Sequence, residues 1–560
     1  MQRTSMILMS DYYKQAHAEQ YPQGISKLIS YATARMTRIP KEMYGDKLTV
    51  FGIQAYVKDF LIERFNETFF NVPLEEAMQE YRDIIGDTFP IQYVDTGKFE
   101  ALHKLGYLPV EICALPEGCR VPIRSAFELP EGQCQVPFMS IVNTHPDFPW
   151  ITEFLESVTS SEIWYPMAVA NQAYYYRQIA NEYYEKTGCG SARSAISEFG
   201  YRGGKSSDAS IKASAAFLTS FNKTATIPAI KYVRDYYGDE VKDIGGGMIS
   251  TEHSVMCSNY AVDNTEETFL KKLFSELYPT GNVSVVMDTY DYWENLKRCG
   301  VGELKDIIMN REGTVFFRGD SGDPVDIICG EKPEKFKDFT EVNEQIAKGR
   351  FPSLVEVDKG IFRRVDNEPG DFTWKEVDKT SVELLGTVEL LWNMFGGTVN
   401  DAGYKVLDSH VHAIYGDSIT PSRAKEIYSR LADKGFAACN VALGAGSFSM
   451  QCAETEDGRL LPFTRDTYGI AVKCCYVEDK DGNTYEVFKN PKTDTEKFKK
   501  SQRGMIWVGL DENVEIIAED GYTSETIPEY NMLQPIFRDG KMLNEVSLEK
   551  VRNRLHNNKF

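Results

Sequence analysis

The chain has 560 residues, 42% of them hydrophobic, enough to bury one large core or two ordinary ones and too many for a disordered chain. No apolar run reaches the roughly 20 residues of a membrane helix, and the first eleven residues hold too short an apolar core for a secretory signal, so a cytoplasmic protein is expected. A formal net charge of −21 argues against nucleic acid or membrane as partner, because both require a positive field. An anionic ligand would need a local cationic pocket. The eleven cysteines are scattered, contain no Cys-x-x-Cys pair, and read as reduced thiols.

Residues 1–150 are mixed and proline-punctuated, with strand-like Leu48–Phe51 and Leu108–Cys113 and a helical stretch from Ile53 to about Phe69. Trp150–Val158 and Met167–Lys186 then read as helices. Beyond them, strands at Val283–Val286, Val315–Phe317, Tyr404–Leu407 and Ala438–Leu443 alternate with helical stretches, the pattern of parallel strands joined by crossover helices. The charged stretch from Glu331 to Thr380 reads as a strand-poor insertion on a barrel loop. After it, strand-like Asn483–Phe488 and Gly504–Val508 suggest that the two ends of the chain build a second, β-containing layer.

Several apolar runs empty into glycine, carboxylate or hydroxyl residues, as the strands of an α/β barrel do at the face that carries its site. The clearest is Thr314–Pro324, where Val-Phe-Phe stops at Arg318-Gly319-Asp320-Ser321-Gly322. Phe199 and Arg202 sit in a glycine-rich loop, where a ring can stack a flat heterocycle and a guanidinium can grip phosphate; an ordinary glycine turn with a packed Phe has the same look. His253 follows Gly245-Gly-Gly247 beside Glu252 and offers a nucleophile or an acid/base, or else a hydrogen-bonded structural histidine. Asp288 and Asp291 suit magnesium, the orientation of His253, or a helix cap. Gly416-Asp417 and Gly444-Ala-Gly-Ser447 also follow apolar runs, the second resembling a backbone-amide phosphate cradle. His410-Val-His412 shares one strand face, yet the one histidine downstream is His556, which leaves a barrel metallohydrolase short of ligands. Arg202, Arg318, Arg465, Lys473 and Lys489 with Asp288, Asp320 and Asp417 suit a sugar bearing several phosphates. Expelling pyrophosphate from its anomeric carbon needs cations for the leaving group and carboxylate near the oxocarbenium-like centre.

Taken with Ser10–Lys14, Ser30–Arg35, Val50–Gln54, Leu108–Ile112, Trp164–Pro166, Phe199–Gly203, Glu252–Ser254, Val283–Asp291, Arg318–Gly322, Gly416–Asp417, Thr464–Asp466 and Val487–Lys489, the chain resembles the nicotinamide phosphoribosyltransferases, type II phosphoribosyltransferases of NAD salvage. The resemblance implies an irregular α/β barrel over 151–464, with the insertion at about 331–380, and a second β-containing domain in which 1–150 packs with 465–560. It implies nicotinamide between Phe199 and Tyr13 of a second copy, hence a homodimer with shared active sites. Arg202, His253 and Arg318 would hold diphosphate; Ser284, Arg318, Gly319, Asp320, Gly416, Asp417, Ser447 and Arg465 would surround the ribonucleotide; Arg35, Lys473 and Lys489 would add charge from the second copy.

His253 would be the histidine that ATP phosphorylates, with Asp288 orienting it, Asp320 as the third catalytic group, and Mg2+ accompanying the phosphates. The expected substrates are nicotinamide, 5-phosphoribosyl 1-pyrophosphate and ATP. Two positions depart from the family pattern. Ala225, within Ser220–Thr226, stands where the family has an aspartate that accepts a hydrogen bond from the amide, so a nicotinate-using enzyme is the nearest rival. Ser447 stands where the family has glycine. The insertion is also longer than in the animal enzymes. From other classes, a barrel metallohydrolase and a catalytically silent ligand-binding protein remain as alternatives.

Overall fold

The computed structural model describes residues 3–126, 128–368, 371–490, 492 and 501–557. Its chain separates into two compact units, one formed by 1–175, 200–245 and 450–560, the other by 176–199 and 246–449.

The second unit is built on six parallel strands: β1 (Ile196–Glu198), β2 (Ile249–Ser250), β3 (Val283–Val286), β4 (Val315–Gly319), β5 (Val411–Tyr415) and β6 (Val441–Ala445). They lie in the order β1-β6-β5-β4-β3-β2, and every pair is parallel. The outer strands β1 and β2 do not pair with each other, so the sheet is a curled half-barrel. Helices such as His253–Asp263, Tyr292–Cys299, Val382–Phe395 and Pro421–Asp433 occupy the crossovers, as parallel pairing requires. Val283, Val285, Val315, Phe317, Val411, Ala413, Val441 and Leu443 are buried, each of the Val, Leu and Phe side chains contributing about 1.5–3 kcal/mol.

The register decides which side chains share a face. Ser284 pairs with Phe316 and Phe316 with His412; two residues on, Val286 pairs with Arg318 and Arg318 with Ile414. Because strand side chains alternate, the next row on that face is Asp288, Asp320 and Gly416, just past the carboxyl ends of β3, β4 and β5.

Two expectations for this unit need correction. Lys405–Leu407 pairs antiparallel with Gly397–Val399 and stands outside the parallel sheet. The insertion is strand-rich: Glu334–Phe336, Leu354–Val357, Gly360–Glu368 and Asp371–Glu376 form a four-stranded sheet. Its core is small, with Val342, Val355 and Val357 packed by Phe336, Phe339, Ile346, Phe362 and Trp374. With so few buried positions, the strands carry charges such as the Arg363–Glu331 and Arg364–Asp366 pairs, and a hydrophobic-period reading passes over them.

The first unit contains a seven-stranded antiparallel sheet in the order Thr484–Glu486, Ala471–Asp479, Ile25–Thr33, Pro137–Asn143, Val110–Ala114, Gln534–Arg538, Lys541–Met542. Strands from the C-terminal part thus flank the three from the N-terminal part on both sides of one sheet, over a single large core that includes Ile29, Phe60, Val110, Ile141, Val472, Tyr476 and Phe537. Residues 151–175 and 200–245 also belong to this unit, so the division is not the sequential one expected at 150 and 465. The two helices expected between 150 and 186 are instead Ile151–Phe154 and one helix over Glu156–Lys186 with Pro166 inside it. Among the described residues no helix is long and apolar enough to cross a membrane.

Candidate active site

The expected residues of the second unit gather at the carboxyl ends of its strands: Phe199 after β1, His253 after β2, Asp288 after β3, Arg318-Gly319-Asp320 at β4, Gly416-Asp417 after β5 and Ser447 after β6. Arg318 is the anchor. Its Nη1 donates to Ser250 Oγ at 2.9 Å and its Nη2 to the Thr251 carbonyl at 3.0 Å, which spans the guanidinium from β4 to the end of β2. Its Nε lies 3.3 Å from Asp320 Oδ2. The Asp320 backbone N–H donates to Asp288 Oδ2 at 3.0 Å, so one carboxylate fixes the loop that carries the other. Burial raises the Asp320 carboxyl above the usual carboxylate range; Arg318 opposes this rise, while neighbouring Asp288 adds to it.

His253 begins the helix His253–Asp263. Its Nε2 lies 3.9 Å from both Asp288 Oδ1 and Asp320 Oδ2, and its Nδ1 hydrogen-bonds the Thr289 hydroxyl at 3.2 Å. The carboxylates near the ring therefore come from β3 and β4, whereas Glu252 accepts from Ser254. Asp291, the other half of the Asp-Thr-Tyr-Asp run, caps the next helix by accepting from Glu294 N–H at 3.0 Å. Of the two candidate carboxylates, Asp288 alone belongs to the site.

Phe199 rests against glycines. A Cβ added to Gly444, Gly416 or Gly446 would lie 2.3, 3.5 or 3.6 Å from its ring, and its N–H donates to the Ala445 carbonyl at 3.1 Å. Sequence reading singled out Gly416 but missed Gly444 as a wall of the ring's seat; the signal was its position two residues before the Gly446-Ser447 turn. It also missed Ser250, Thr251 and Thr289. Three buried polar atoms here make no hydrogen bond: Ser284 Oγ, Asp288 Oδ1 and Arg318 Nε. Arg318 Nε still faces Asp320 in their ion pair, whereas Ser284 Oγ and Asp288 Oδ1 are left to meet a ligand, an ion or water.

His412 offers no metal ligand. Its Nδ1 lies 2.7 Å from the Ala413 carbonyl and its Nε2 2.7 Å from the Cys439 carbonyl, while burial holds it below its ordinary pKa. His410 Nδ1 pairs with Asp408 at 2.6 Å. Among the described residues no three metal-ligating side chains converge, so an all-protein metal cage is absent there. An Mg2+ carried on phosphates asks less, one or two carboxylates, and the unpaired oxygen of Asp288 with Asp320 beside it fits that demand.

The remaining expected residues lie in the first unit. Arg35 donates through Nε to the Gly469 carbonyl at 3.0 Å, and burial followed by the like charge of Arg465 lowers its pKa. Arg465 itself is exposed beside Asp466. Lys473 is paired in its own chain with Glu156 at 2.9 Å, and Glu156 also holds buried Lys14 at 2.6 Å. Tyr13, next to Lys14, leaves 59% of its surface exposed. Arg202, Ala225 and Lys489 are exposed.

A curled parallel α/β sheet whose strand ends gather cations, carboxylates and an aromatic seat defines a phosphoribosyltransferase of type II architecture, a pentosyltransferase. The chain belongs to the nicotinate phosphoribosyltransferase family, whose model matches residues 194–541; the model of the N-terminal domain of nicotinamide phosphoribosyltransferase matches residues 5–112. A nicotinamide phosphoribosyltransferase of Acinetobacter baylyi is 33% identical, with 97% of this chain and 96% of that protein covered. One of Xanthomonas campestris is 27% identical, covering 98% and 97%. Among solved structures, nicotinate-nucleotide pyrophosphorylase from Pyrococcus furiosus shares the fold, with a TM-score of 0.52 at 10% identity, covering 98% of this chain and 94% of that one.

Proposed function

We propose that this protein transfers the phosphoribosyl group of 5-phosphoribosyl 1-pyrophosphate to nicotinamide, forming nicotinamide mononucleotide and pyrophosphate in NAD salvage. The observation that carries the reading is the strand-end cluster of Arg318, Asp288 and Asp320, in which Ser284 Oγ and Asp288 Oδ1 are buried without a hydrogen bond. The names of the relatives supply the choice of pyridine. In this reading Phe199 stacks the ring, Arg318 neutralises the departing pyrophosphate, and Asp320 with Asp288 stabilises positive charge at the anomeric carbon. Asp288, with Asp320 beside it, would hold an Mg2+ carried on the phosphates, which would supply further neutralisation of their charge. Arg202 and Arg465 add to phosphate binding; Arg35, Lys473 and Lys489 of a second copy contribute further positive charge, and Tyr13 of that copy faces the ring.

The test offers nicotinamide and nicotinic acid in competition, with phosphoribosyl pyrophosphate and Mg2+, and identifies the mononucleotide. Nicotinamide mononucleotide is expected. Exclusive formation of the acid product would transfer the assignment to the nicotinate-using rival, and neither product would end it. Ala225→Asp is expected to raise preference for the amide by about tenfold or more, ~1.4 kcal/mol, because a carboxylate there repels nicotinate. An unchanged product ratio would locate selectivity elsewhere.

ATP stimulation through a phosphorylated His253 is part of the same proposal. The ring stands at the first position of an 11-residue helix, where the helix dipole favours an added anion. His253→Ala is expected to lose ATP stimulation while retaining some basal transfer; stimulation that survives the substitution would assign the coupling to another group.

A further inference from the structure

Cys189 and Cys439 lie at the opposite end of the half-barrel from the strand-end cluster, before the amino ends of β1 and β6, and the proposed reaction makes no use of them. Cys439 N–H donates to Cys189 Sγ at 3.1 Å, and the Thr187 hydroxyl lies 3.3 Å from the same sulfur. The Cys439 backbone thus lies directly against the Cys189 sulfur, which places the two cysteines side by side. Both residues are half-buried, and Cys189 is flanked by exposed Gly188 and Gly190. The local backbone is locked. Gly188 has φ +67° and its missing Cβ would lie 2.7 Å from Ala402 Cβ, while Cys189 N–H donates to the Tyr184 carbonyl at 2.8 Å and Asn400 Nδ2 to the Thr187 carbonyl at 2.8 Å.

From this geometry we infer that Cys189 and Cys439 form a peroxide-reactive thiol pair, a modification site that closes to a reversible disulfide. Donors converging on one sulfur favour its thiolate, and the hydrogen bond from Cys439, with those from Thr187 and the backbone, outweighs burial and holds the Cys189 thiol below its ordinary value. Cys439 is pushed the other way, first by that same bond, then by burial. The backbone N–H and the Thr187 hydroxyl meet at the Cys189 sulfur, so Cys189 is the attacking thiol and Cys439 the resolving one.

The Cys189 thiolate attacks one peroxide oxygen; the S–O bond forms, the O–O bond breaks, and hydroxide leaves to become water. Cys439 sulfur then attacks Cys189 sulfur, and the S–S bond forms as the S–O bond breaks. The proton of Cys439 leaves with the second hydroxide as water. Two thiols and one hydrogen peroxide thus become one disulfide and two waters, the thiols giving the two electrons that the peroxide accepts.

The full-length reduced protein is titrated with hydrogen peroxide near neutral pH, alkylated and mapped by peptide mass spectrometry. A Cys189–Cys439 peptide lighter by two hydrogens is expected before buried Cys299 or Cys329 reacts, and dithiothreitol should reverse it. Cys439→Ser should stop the reaction at a Cys189 sulfenic acid trapped by dimedone, whereas Cys189→Ser should leave Cys439 as thiol. Absence of the linked peptide at peroxide levels that oxidise exposed Cys257, or equal sulfenylation of Cys439 in the Cys189→Ser variant, would overturn the inference.

Discussion

Arg318→Ala is expected to lower kcat/KM for phosphoribosyl transfer by about 10²–10³, the loss typical of removing one preorganised group that stabilises developing charge. The side chain is preorganised in the required sense, because Ser250 Oγ and the Thr251 carbonyl hold both terminal nitrogens at 2.9 and 3.0 Å. No reorientation is needed as pyrophosphate departs. Arg318→Lys keeps the charge and loses the fork, so an intermediate rate is expected. The substitution carries a second signature. Burial raises Asp320, and Arg318 is the largest influence opposing that rise, with His253 assisting and Asp288 and Asp417 acting against it. Without Arg318 the carboxyl rises further, and the acid limb of the kcat/KM profile moves to higher pH.

The stability effect has a definite sign. Folded Asp320 then takes up its proton at higher pH than the unfolded chain does, so any loss of Tm in Arg318→Ala narrows as pH falls through the raised folded pKa. A rate within a few-fold of the parent, with an unmoved acid limb, would remove Arg318 from the machinery.

How much of this site could be read in advance follows from how it is made. Val315-Phe-Phe-Arg-Gly-Asp is legible because a strand that is apolar up to the point where chemistry begins changes composition abruptly there, and the same holds at Asp288, Gly416 and Ser447. What the sequence does not carry is register. Asp288, Asp320 and Gly416 fall in one row because Val286 pairs with Arg318 and Arg318 with Ile414, a fact of sheet pairing across more than a hundred residues of chain. The four-stranded insertion was missed for the opposite reason. Its strands bury little, so their alternating charges resemble loop. Lys473 illustrates a third limit: it reads as a free cation, yet Glu156 holds it at 2.9 Å, and no local pattern ties residue 473 to residue 156.

Gly444→Ala is expected to have the largest effect of any single methyl added to the second unit's sheet. The added carbon would lie 2.3 Å from Phe199 Cε1, 2.8 Å from Gly416 Cα and 3.1 Å from the Gly416 carbonyl oxygen. The ring is the side chain that can yield, while the 2.8 Å approach to the Gly416 Cα is to backbone just past β5 and requires a small shift there as well. Overpacking of this kind costs about 1–3 kcal/mol of stability. Because base–ring stacking is worth about 1–3 kcal/mol, the KM for the pyridine substrate should rise by about tenfold or more. The KM for phosphoribosyl pyrophosphate should change little, since Arg318 is held by β2 and β4. Phe199→Ala alone should raise the same KM without the full stability loss. In the double variant the ring is gone and its share of the clash with it, so the two KM effects should be non-additive, while the part of the stability loss that comes from Gly416 remains. Additive KM changes would mean that Gly444 acts through Gly416 and the Asp320 row, and that the seat of the ring is set by something other than the missing Cβ.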